Sequence, residues 1–283
     1  METTANKISL TYKLGGQQTI NRMGYGGMQL TGKGVWGEAS DRDNAKKVLI
    51  AAVEAGVNFF DTADSYGPHT NEVLIQESIG RYYNKIIVAT KGGFERPGPG
   101  VWIPNGRPEY IKSCIEGSLK RLGKEQIDLW QLHRIDPKVP VEETLGVVAE
   151  AVAAGKIKQV GLSEVDVKDI EQAQKVLPIV SVQNLYNLNN RKWEEVLDYT
   201  AAHNIAFIPW FPLASGPAKM QDKIGAIAKS HNATIAEVAL AWLLKRSSNI
   251  LLIPGTSSVE HLHENVKATQ IQLTEEEFET LSK

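Results

Sequence analysis

Residues 58–91 read NFFDTADSYGPHTNEVLIQESIGRYYNKIIVATK, and they contain two apolar runs on either side of an amphipathic segment. The runs at 58–61 and 86–90 are short and rich in aromatic or β-branched side chains, which is typical of buried strands. The segment at 71–81 has the length and the apolar spacing of a helix. A strand, a helix and a second strand in this order predict a parallel βαβ unit.

The same alternation continues along the 283-residue chain. Residues 8–14 and 17–20, separated by two glycines, predict a β-hairpin. Eight strand–helix units follow, and their number favours an α/β fold of the (β/α)8 or TIM barrel type, formed as one domain over residues 1–283. The predicted strands are 24–28, 58–61, 86–90, 127–133, 157–162, 179–183, 205–210 and 250–253, and the predicted helices are 43–55, 71–81, 108–122, 141–154, 167–176, 192–203, 234–245 and 259–268.

Composition and charge narrow the class of protein. The chain is 42% hydrophobic and 23% charged, as globular domains are, and its net charge of −2 gives no basis for binding nucleic acid or an anionic membrane. The first ten residues lack the basic and apolar regions of a secretory signal, and no apolar stretch approaches the roughly 20 residues of a membrane helix. The single cysteine, Cys114, cannot form an intrachain disulfide, so we expect a cytoplasmic location.

Four reactive side chains follow three consecutive strands, at the end where barrels of this type carry their active sites. Asp61 ends the second predicted strand and Tyr66 lies in the loop after it, whereas Lys91 follows the third strand and His133 ends the fourth. Each residue alone is more often a turn, cap or solvated residue. Together they predict a catalytic site in which a carboxylate, a phenol, an ammonium and an imidazole converge.

The segments FFDTADSYG, VATKGG and LWQLHRID resemble those that carry the Asp, Tyr, Lys and His tetrad of the aldo-keto reductase superfamily. The resemblance extends over essentially the whole chain and includes the hairpin, which in that family closes the bottom of the barrel. It implies an enzyme that reduces aldehydes or ketones by hydride transfer from NAD(P)H.

The chemistry of that reaction assigns a role to each member of the tetrad. Hydride attack on a carbonyl leaves an oxyanion, and Tyr66 is the implied proton donor. An unperturbed tyrosine has a pKa of about 10, and we expect the cation of Lys91 to lower the pKa of Tyr66. Asp61 would hold Lys91, and His133 would orient the carbonyl oxygen. The four residues lack the spacing of a zinc site, so no metal is expected.

No G-x-G-x-x-G motif opens a helix after a strand, so a Rossmann mode of cofactor binding is not indicated. The resemblance implies instead that the cofactor lies across the barrel mouth. The resemblance implies that Ser163 and Gln183 hydrogen-bond the nicotinamide carboxamide and that Trp210 stacks on its ring. Glu164 stands where the family usually has asparagine. Further cofactor contacts are expected from Pro212, Leu213 and Ser215.

Residues 253–265, IPGTSSVEHLHEN, leave the eighth strand and open a helix, whose free N–H groups can bind phosphate. They resemble the family's site for the adenosine 2′-phosphate, which implies NADP (NADPH) as the cofactor and leaves NAD as the alternative. Gly255 and His261 stand where the family often has lysine and arginine. The implied phosphate contacts are Thr256 and Ser257, and His261 and His263 would partly substitute for the missing cations. The implied adenine contacts are Glu264 and Asn265, and Gly255 is a further position of this cofactor-binding segment.

The segments MGYGGMQL (23–30), GVWG (34–37), SYGPH (65–69) and LLIPGTSS (251–258) look like the bacterial pyridoxal reductase branch of the superfamily. This implies pyridoxal, reduced to pyridoxine, as a candidate substrate. The long segment 92–107 is predicted to be an irregular loop that is either functional or mobile. Trp36 and, within that loop, Trp102 are the candidates for lining the substrate pocket.

Two other classes of protein share the predicted barrel. Channel β-subunits have the same fold and tetrad but act chiefly by association, so a cofactor-binding regulatory subunit is the alternative function. A metal-dependent hydrolase would need paired histidine ligands on early strands, whereas only His69 and His133 lie in the first half of the chain. We expect a monomer that acts on a small carbonyl compound.

Overall fold

The computed structural model describes residues 10–213 and 218–283. Its largest sheet has seven parallel strands, and strands that are neighbours in this sheet are also consecutive along the chain apart from two short strands in one loop. The described strands are β1 (Thr11–Leu14), β2 (Gln18–Asn21), β3 (Tyr25–Gly26), β4 (Phe59–Asp61), β5 (Ile87–Gly92), β6 (Phe94–Glu95), β7 (Ile103–Pro104), β8 (Leu129–Leu132), β9 (Val160–Ser163), β10 (Ser181–Leu185) and β11 (Ala206–Trp210).

Residues 250–252 close the seven-stranded sheet into a barrel. Gly24 N donates to Leu252 O at 2.7 Å on the side of β3, and Leu251 N donates to Phe207 O at 2.9 Å on the side of β11. This segment pairs through single bridges and not through a continuous ladder, so it is shorter as a strand than predicted. The (β/α)8 arrangement predicted from the sequence is therefore confirmed.

The hairpin β1–β2 covers the end of the barrel at which the strands begin. Leu14 and Ile20 are fully buried, and they pack in one cluster with Phe59, Ile87 and Ala206, the first residues of β4, β5 and β11. The bottom of the barrel is thus sealed by apolar side chains. The reactive groups lie at the opposite end, where the strands finish.

The described helices pack against the sheet and against one another. The side chains of Asp41 and Ser258 cap the helices that follow them. None of the described helices is long and apolar enough to cross a membrane. They are α1 (Arg42–Glu54), α2 (Thr70–Ile79), α3 (Pro108–Leu122), α4 (Val141–Ala153), α5 (Val167–Gln174), α6 (Glu194–Ala202), α7 (Ala218–Ser230), α8 (Ile235–Arg246), α9 (Val259–Lys267) and α10 (Glu275–Ser282).

The segment 92–107 is more regular than the sequence indicates, because β6 and β7 pair as a small antiparallel hairpin. Asn105 N donates to Gly93 O at 2.9 Å, and the hydroxyl of Tyr110, on α3, donates to Phe94 O at 2.7 Å. The three prolines of the segment conceal any alternating pattern. Hydrogen bonds between residues that are distant in sequence hold this segment in place. Such contacts leave no periodic pattern in the sequence.

Candidate active site

A fully buried lysine organises the mouth of the barrel. Lys91, at the end of β5, donates from Nζ to Asp61 Oδ1 at 2.6 Å and to the backbone carbonyl of Thr62 at 2.8 Å. The same Nζ lies 3.3 Å from Oη of Tyr66. The ends of β4 and β5 therefore bring a carboxylate, an ammonium and a phenol into one hydrogen-bonded group, as the sequence predicts.

The second carboxylate oxygen of Asp61 is also fully engaged. Oδ2 accepts from Gln183 Nε2 at 2.9 Å and from Gln131 Nε2 at 3.3 Å. Four barrel strands thus converge on one buried ion pair. Gln131 is a member of the site that the sequence analysis missed, although a polar residue inside the apolar strand LWQL is a signal that could have revealed it.

His133 directly follows β8 and lies beside Tyr66. Its Nδ1 is 3.2 Å from Oγ of Ser65, and its ring centroid is 5.9 Å from that of Tyr66. The imidazole also packs edge-on against Phe94 and Trp102, with centroids 4.7 Å and 6.0 Å away. The hairpin β6–β7 therefore adds an aromatic wall to the tetrad.

Burial and charge set the protonation of these groups. Burial raises the pKa of Tyr66, and the positive charge of Lys91 opposes that rise without cancelling it. Burial acts to lower the pKa of Lys91, but its interactions with Asp61 and Tyr66, above all with the negative charge of Asp61, outweigh burial and raise that pKa. Burial, then the nearby cations Lys91 and Arg134, hold the pKa of His133 well below its usual value.

At neutral pH the site thus holds a neutral phenol, a charged ammonium and a neutral imidazole. The cation of Lys91 lowers the pKa of Tyr66, as expected, but burial of the phenol raises that pKa by more, so the net pKa of Tyr66 lies above its ordinary value. A neutral phenol is the form that can donate a proton.

The residues expected to contact the nicotinamide lie at the same edge of the sheet. Ser163 ends β9 and is paired in register with Gln183 on β10, and Trp210 ends β11. Ser163 Oγ accepts from Arg134 Nη1 at 2.9 Å. Pro212 is buried and Leu213 is half-buried just beyond β11, whereas Ser215 lies outside the described residues.

Glu164 has a structural partner at this edge. Its backbone adopts the left-handed conformation, with φ of 56°, and its Oε1 accepts from Trp210 Nε1 at 2.7 Å. The carboxylate therefore fixes the orientation of the indole that is expected to meet the cofactor ring. The sequence showed only that Glu164 departs from the asparagine of the family.

Residues 253–258 lead from the last barrel segment into α9, which begins at Val259. Thr256 Oγ1 accepts from Ser258 N at 3.0 Å, and Ser258 Oγ accepts from His261 N at 3.3 Å. Ser257 and His261 are exposed beside this helix end. The close approach of the backbone explains the glycine at position 255, since a Cβ there would lie 2.9 Å from the carbonyl oxygen of Gly26.

His263 and His261 do not share a face of α9. His263 lines a groove of about 630 Å³ with Glu264 and residues of the turn between α7 and α8, including Thr234, and His261 is not among them. Residues two positions apart on a helix do not face each other. The two imidazoles therefore lie on different faces of α9. Asn265, the other residue implied to contact the adenine, is buried.

Both candidate pocket tryptophans lie near the tetrad. The ring centroid of Trp102 is 6.4 Å from that of Tyr66, and Trp36 forms a β-bridge with Gly67, the neighbour of Tyr66. Within residues 10–213 and 218–283, no three histidine, cysteine or acidic side chains are grouped so as to hold a metal ion.

A parallel barrel whose mouth joins a tyrosine to a buried lysine–aspartate pair is the arrangement of a carbonyl oxidoreductase. The model of the aldo/keto reductase family matches residues 22–283, so the chain belongs to that family and is an oxidoreductase. Pyridoxine 4-dehydrogenase of Escherichia coli (strain K12) is 40% identical over 279 residues, which are 96% of this chain and 97% of that protein.

Solved structures of other aldo-keto reductases have the same fold. A crystal structure of a thermostable aldo-keto reductase in complex with the inhibitor epalrestat has a TM-score of 0.88 at 32% identity, and the match covers 97% of this chain and 99% of that one. An aldo-keto reductase from Klebsiella pneumoniae in complex with NADPH has a TM-score of 0.82 at 25% identity, with 96% and 94% coverage.

Proposed function

We propose that this protein reduces aldehydes or ketones to alcohols with NADPH. The observation that carries the proposal is the buried Lys91 ammonium, 2.6 Å from Asp61 Oδ1 and 3.3 Å from the hydroxyl of Tyr66. A bound nicotinamide supplies the hydride. Tyr66 then donates its proton to the carbonyl oxygen, Lys91 stabilises the phenolate that remains, and neutral His133 donates a hydrogen bond that orients the substrate.

The residues at the mouth fit a nicotinamide dinucleotide by their donors and acceptors. The amide of Gln183 and the hydroxyl of Ser163 match a carboxamide, since a hydroxyl that accepts from Arg134 can still donate its own hydrogen. The indole of Trp210 offers a flat surface for the nicotinamide ring. Exposed Ser257 and the start of α9 match a phosphate, because helix N-termini attract anions.

NADPH is the proposed cofactor for two reasons. The Klebsiella pneumoniae relative was solved with NADPH, and hydroxyl and imidazole groups surround the start of α9.

Gly255 has no room for a side chain against Gly26, so the lysine common in the family is excluded by the backbone of β3. Ser257, Thr256 and His261 are left as the candidates for holding a 2′-phosphate.

The preference for NADPH over NADH should depend on His261, because its exposed imidazole lies beside the helix end that is proposed to hold the 2′-phosphate. A hydrogen bond to a charged group contributes about 1.5–3 kcal/mol, so we expect His261→Ala to lower the ratio of the kcat/KM values for NADPH and NADH by about 10-fold. His263→Ala, two positions further along α9, should keep the wild-type ratio. Steady-state kinetics with both cofactors measure the ratio, and a wild-type ratio in His261→Ala would exclude His261 as a contact of the phosphate.

Pyridoxal is the proposed substrate within this reaction class. The E. coli relative named pyridoxine 4-dehydrogenase covers nearly the whole chain, and pyridoxal is the aldehyde that corresponds to oxidation of pyridoxine at that carbon. The ring of Phe94 and that of Trp102, 5.3 Å apart, flank His133 and offer aromatic surface for a flat heterocycle. Pro212 and Leu213, just beyond β11, remain candidates for contacts with the cofactor.

Incubation with NADPH should show oxidation of the cofactor in the presence of pyridoxal, with pyridoxine as the product. Parallel reactions with NADH and with nitrobenzaldehyde serve as controls, and the loss of absorbance at 340 nm measures the rate. If nitrobenzaldehyde reacts and pyridoxal does not, the substrate proposal fails and carbonyl reduction stands. Binding of NADPH without turnover of any carbonyl would instead support a regulatory subunit.

We also propose that the protein acts as a monomer in the cytoplasm. Its one cysteine, Cys114, is free and buried, which suits a reducing compartment. Size-exclusion chromatography with light scattering measures the oligomeric state directly, and a dimer mass would contradict the first part of this proposal.

A further inference from the structure

One arginine in the hairpin β6–β7 contacts both pocket tryptophans. The guanidinium carbon of Arg96 lies 3.5 Å from the ring centroid of Trp102 and 5.7 Å from that of Trp36. The first distance is that of direct stacking between a planar cation and an indole. Arg96 thus lies between two aromatic side chains that belong to different loops.

The hydrogen bonds of Arg96 reach three loops of the barrel mouth. Its Nε donates to Val101 O at 2.9 Å within its own loop, and its Nη1 donates to Ser65 O at 2.6 Å. Its Nη2 is 3.2 Å from both Gly34 O and Val35 O. Because these acceptors are backbone carbonyls, the side chain fixes the main chain of all three loops.

Two of the anchored positions have direct consequences for the tetrad and the pocket. Ser65 immediately precedes Tyr66, and its side chain touches the ring of His133. Val35 has a φ of 56°, a left-handed conformation that is unfavourable for a β-branched residue. A residue held in such a conformation needs external support, and Arg96 provides a hydrogen bond to its carbonyl directly before Trp36.

We propose that Arg96 is a positioning residue that selects flat aromatic carbonyl substrates, by holding Trp102 and Trp36 as one rigid wall beside Tyr66 and His133. The proposal rests on the proposed carbonyl reductase function. It does not require Arg96 to touch the substrate. Lysine cannot take the place of Arg96, because an ammonium has neither a planar face nor the forked donors that reach three loops.

The test compares Arg96→Met and Arg96→Lys with Arg107→Met, a matched control on the same loop. The side chain of Arg107 is 60% exposed and pairs only with surface carboxylates among the described residues. Each variant is assayed with nitrobenzaldehyde and with propanal. A misplacement of about 1 Å can cost up to about 10²-fold in rate, so we expect both Arg96 variants to lose about 10-fold in the nitrobenzaldehyde-to-propanal ratio of kcat/KM. Arg107→Met should keep the wild-type ratio.

A double-mutant cycle separates positioning from a general weakening of the fold. In a background that carries Trp102→Leu and Trp36→Leu, Arg96→Met should change the ratio by less than about 2-fold, because both side chains that it positions are absent. If Arg96→Met lowers the rates for both aldehydes by the same factor, or leaves both unchanged, the proposal is overturned. The same conclusion would follow if Arg96→Lys behaved as the wild type.

Cleavage by chymotrypsin after Trp102 gives a readout that does not depend on activity. We expect faster cleavage in Arg96→Met than in Arg107→Met, since the loop loses its anchors in the first variant only. Equal rates would contradict the positioning role. If the wild type reduces no aldehyde, the proposed function and the selectivity fall together, while the cleavage rates still decide whether Arg96 holds the loop.

Discussion

Replacement of Tyr66 by phenylalanine is expected to lower kcat for aldehyde reduction by at least about 10²-fold, the usual loss when a general acid is removed. That factor corresponds to about 2.7 kcal/mol of transition-state stabilisation. The variant keeps the ring and its edge contacts with Trp102 and His133. It loses only the hydroxyl, which lies 3.3 Å from Lys91 Nζ.

The fold should tolerate this change, because Lys91 keeps its shorter contacts with Asp61 and the carbonyl of Thr62. We therefore expect a melting temperature and an NADPH dissociation constant near those of the wild type, measured by calorimetry and by fluorescence quenching. An unchanged kcat in the folded variant would show that another group supplies the proton, and would overturn the central part of the proposed function.

Lys91→Met should abolish most of the activity at neutral pH and also destabilise the protein. Lys91 lowers the pKa of Tyr66 against the effect of burial, so its removal makes the phenolate harder to form. It also leaves Asp61 buried without its cation, and breaking a buried ion pair costs about 3–5 kcal/mol. The pH profile of kcat and urea denaturation measure the two effects.

The double variant Lys91→Met with Asp61→Asn separates chemistry from stability. Removing the charge of Asp61 as well should restore much of the free energy of unfolding, whereas the activity should remain low because no cation faces Tyr66. Recovery of activity together with stability would mean that Lys91 has only a structural role.

The barrel and the tetrad could be predicted because both depend on the order of apolar and polar residues over short stretches of the sequence. Apolar runs such as 86–90 are followed at once by polar residues, and parallel strands bring those residues to one edge. The helix α7 was not predicted, because one helix was assigned to each strand and the helix after the seventh strand was placed at 234–245, where α8 lies. The hairpin β6–β7 was missed because prolines mask its pairing.

The interactions of individual side chains could not be predicted in the same way. The contact of Glu164 with Trp210 spans 46 residues, and that of Arg96 with Gly34 spans 62. Such pairs depend on rotamers and loop paths that are set only when the barrel closes. The pKa of Tyr66 is a further example, because its direction depends on how completely the folded chain excludes water from the phenol.

The carboxylate of Asp61 serves two sets of donors at once, Lys91 on one oxygen and Gln183 with Gln131 on the other. A ligand that draws the amide of Gln183 to itself takes a hydrogen bond from this carboxylate and leaves more of its negative charge to Lys91. Lys91 is also the cation that acts on the proton of Tyr66. The binding of a ligand to Gln183 and the proton affinity of Tyr66 are thereby thermodynamically linked. Linkage is reciprocal, so the factor by which the ligand changes the proton affinity of Tyr66 is also the factor by which protonation of Tyr66 changes the affinity for the ligand.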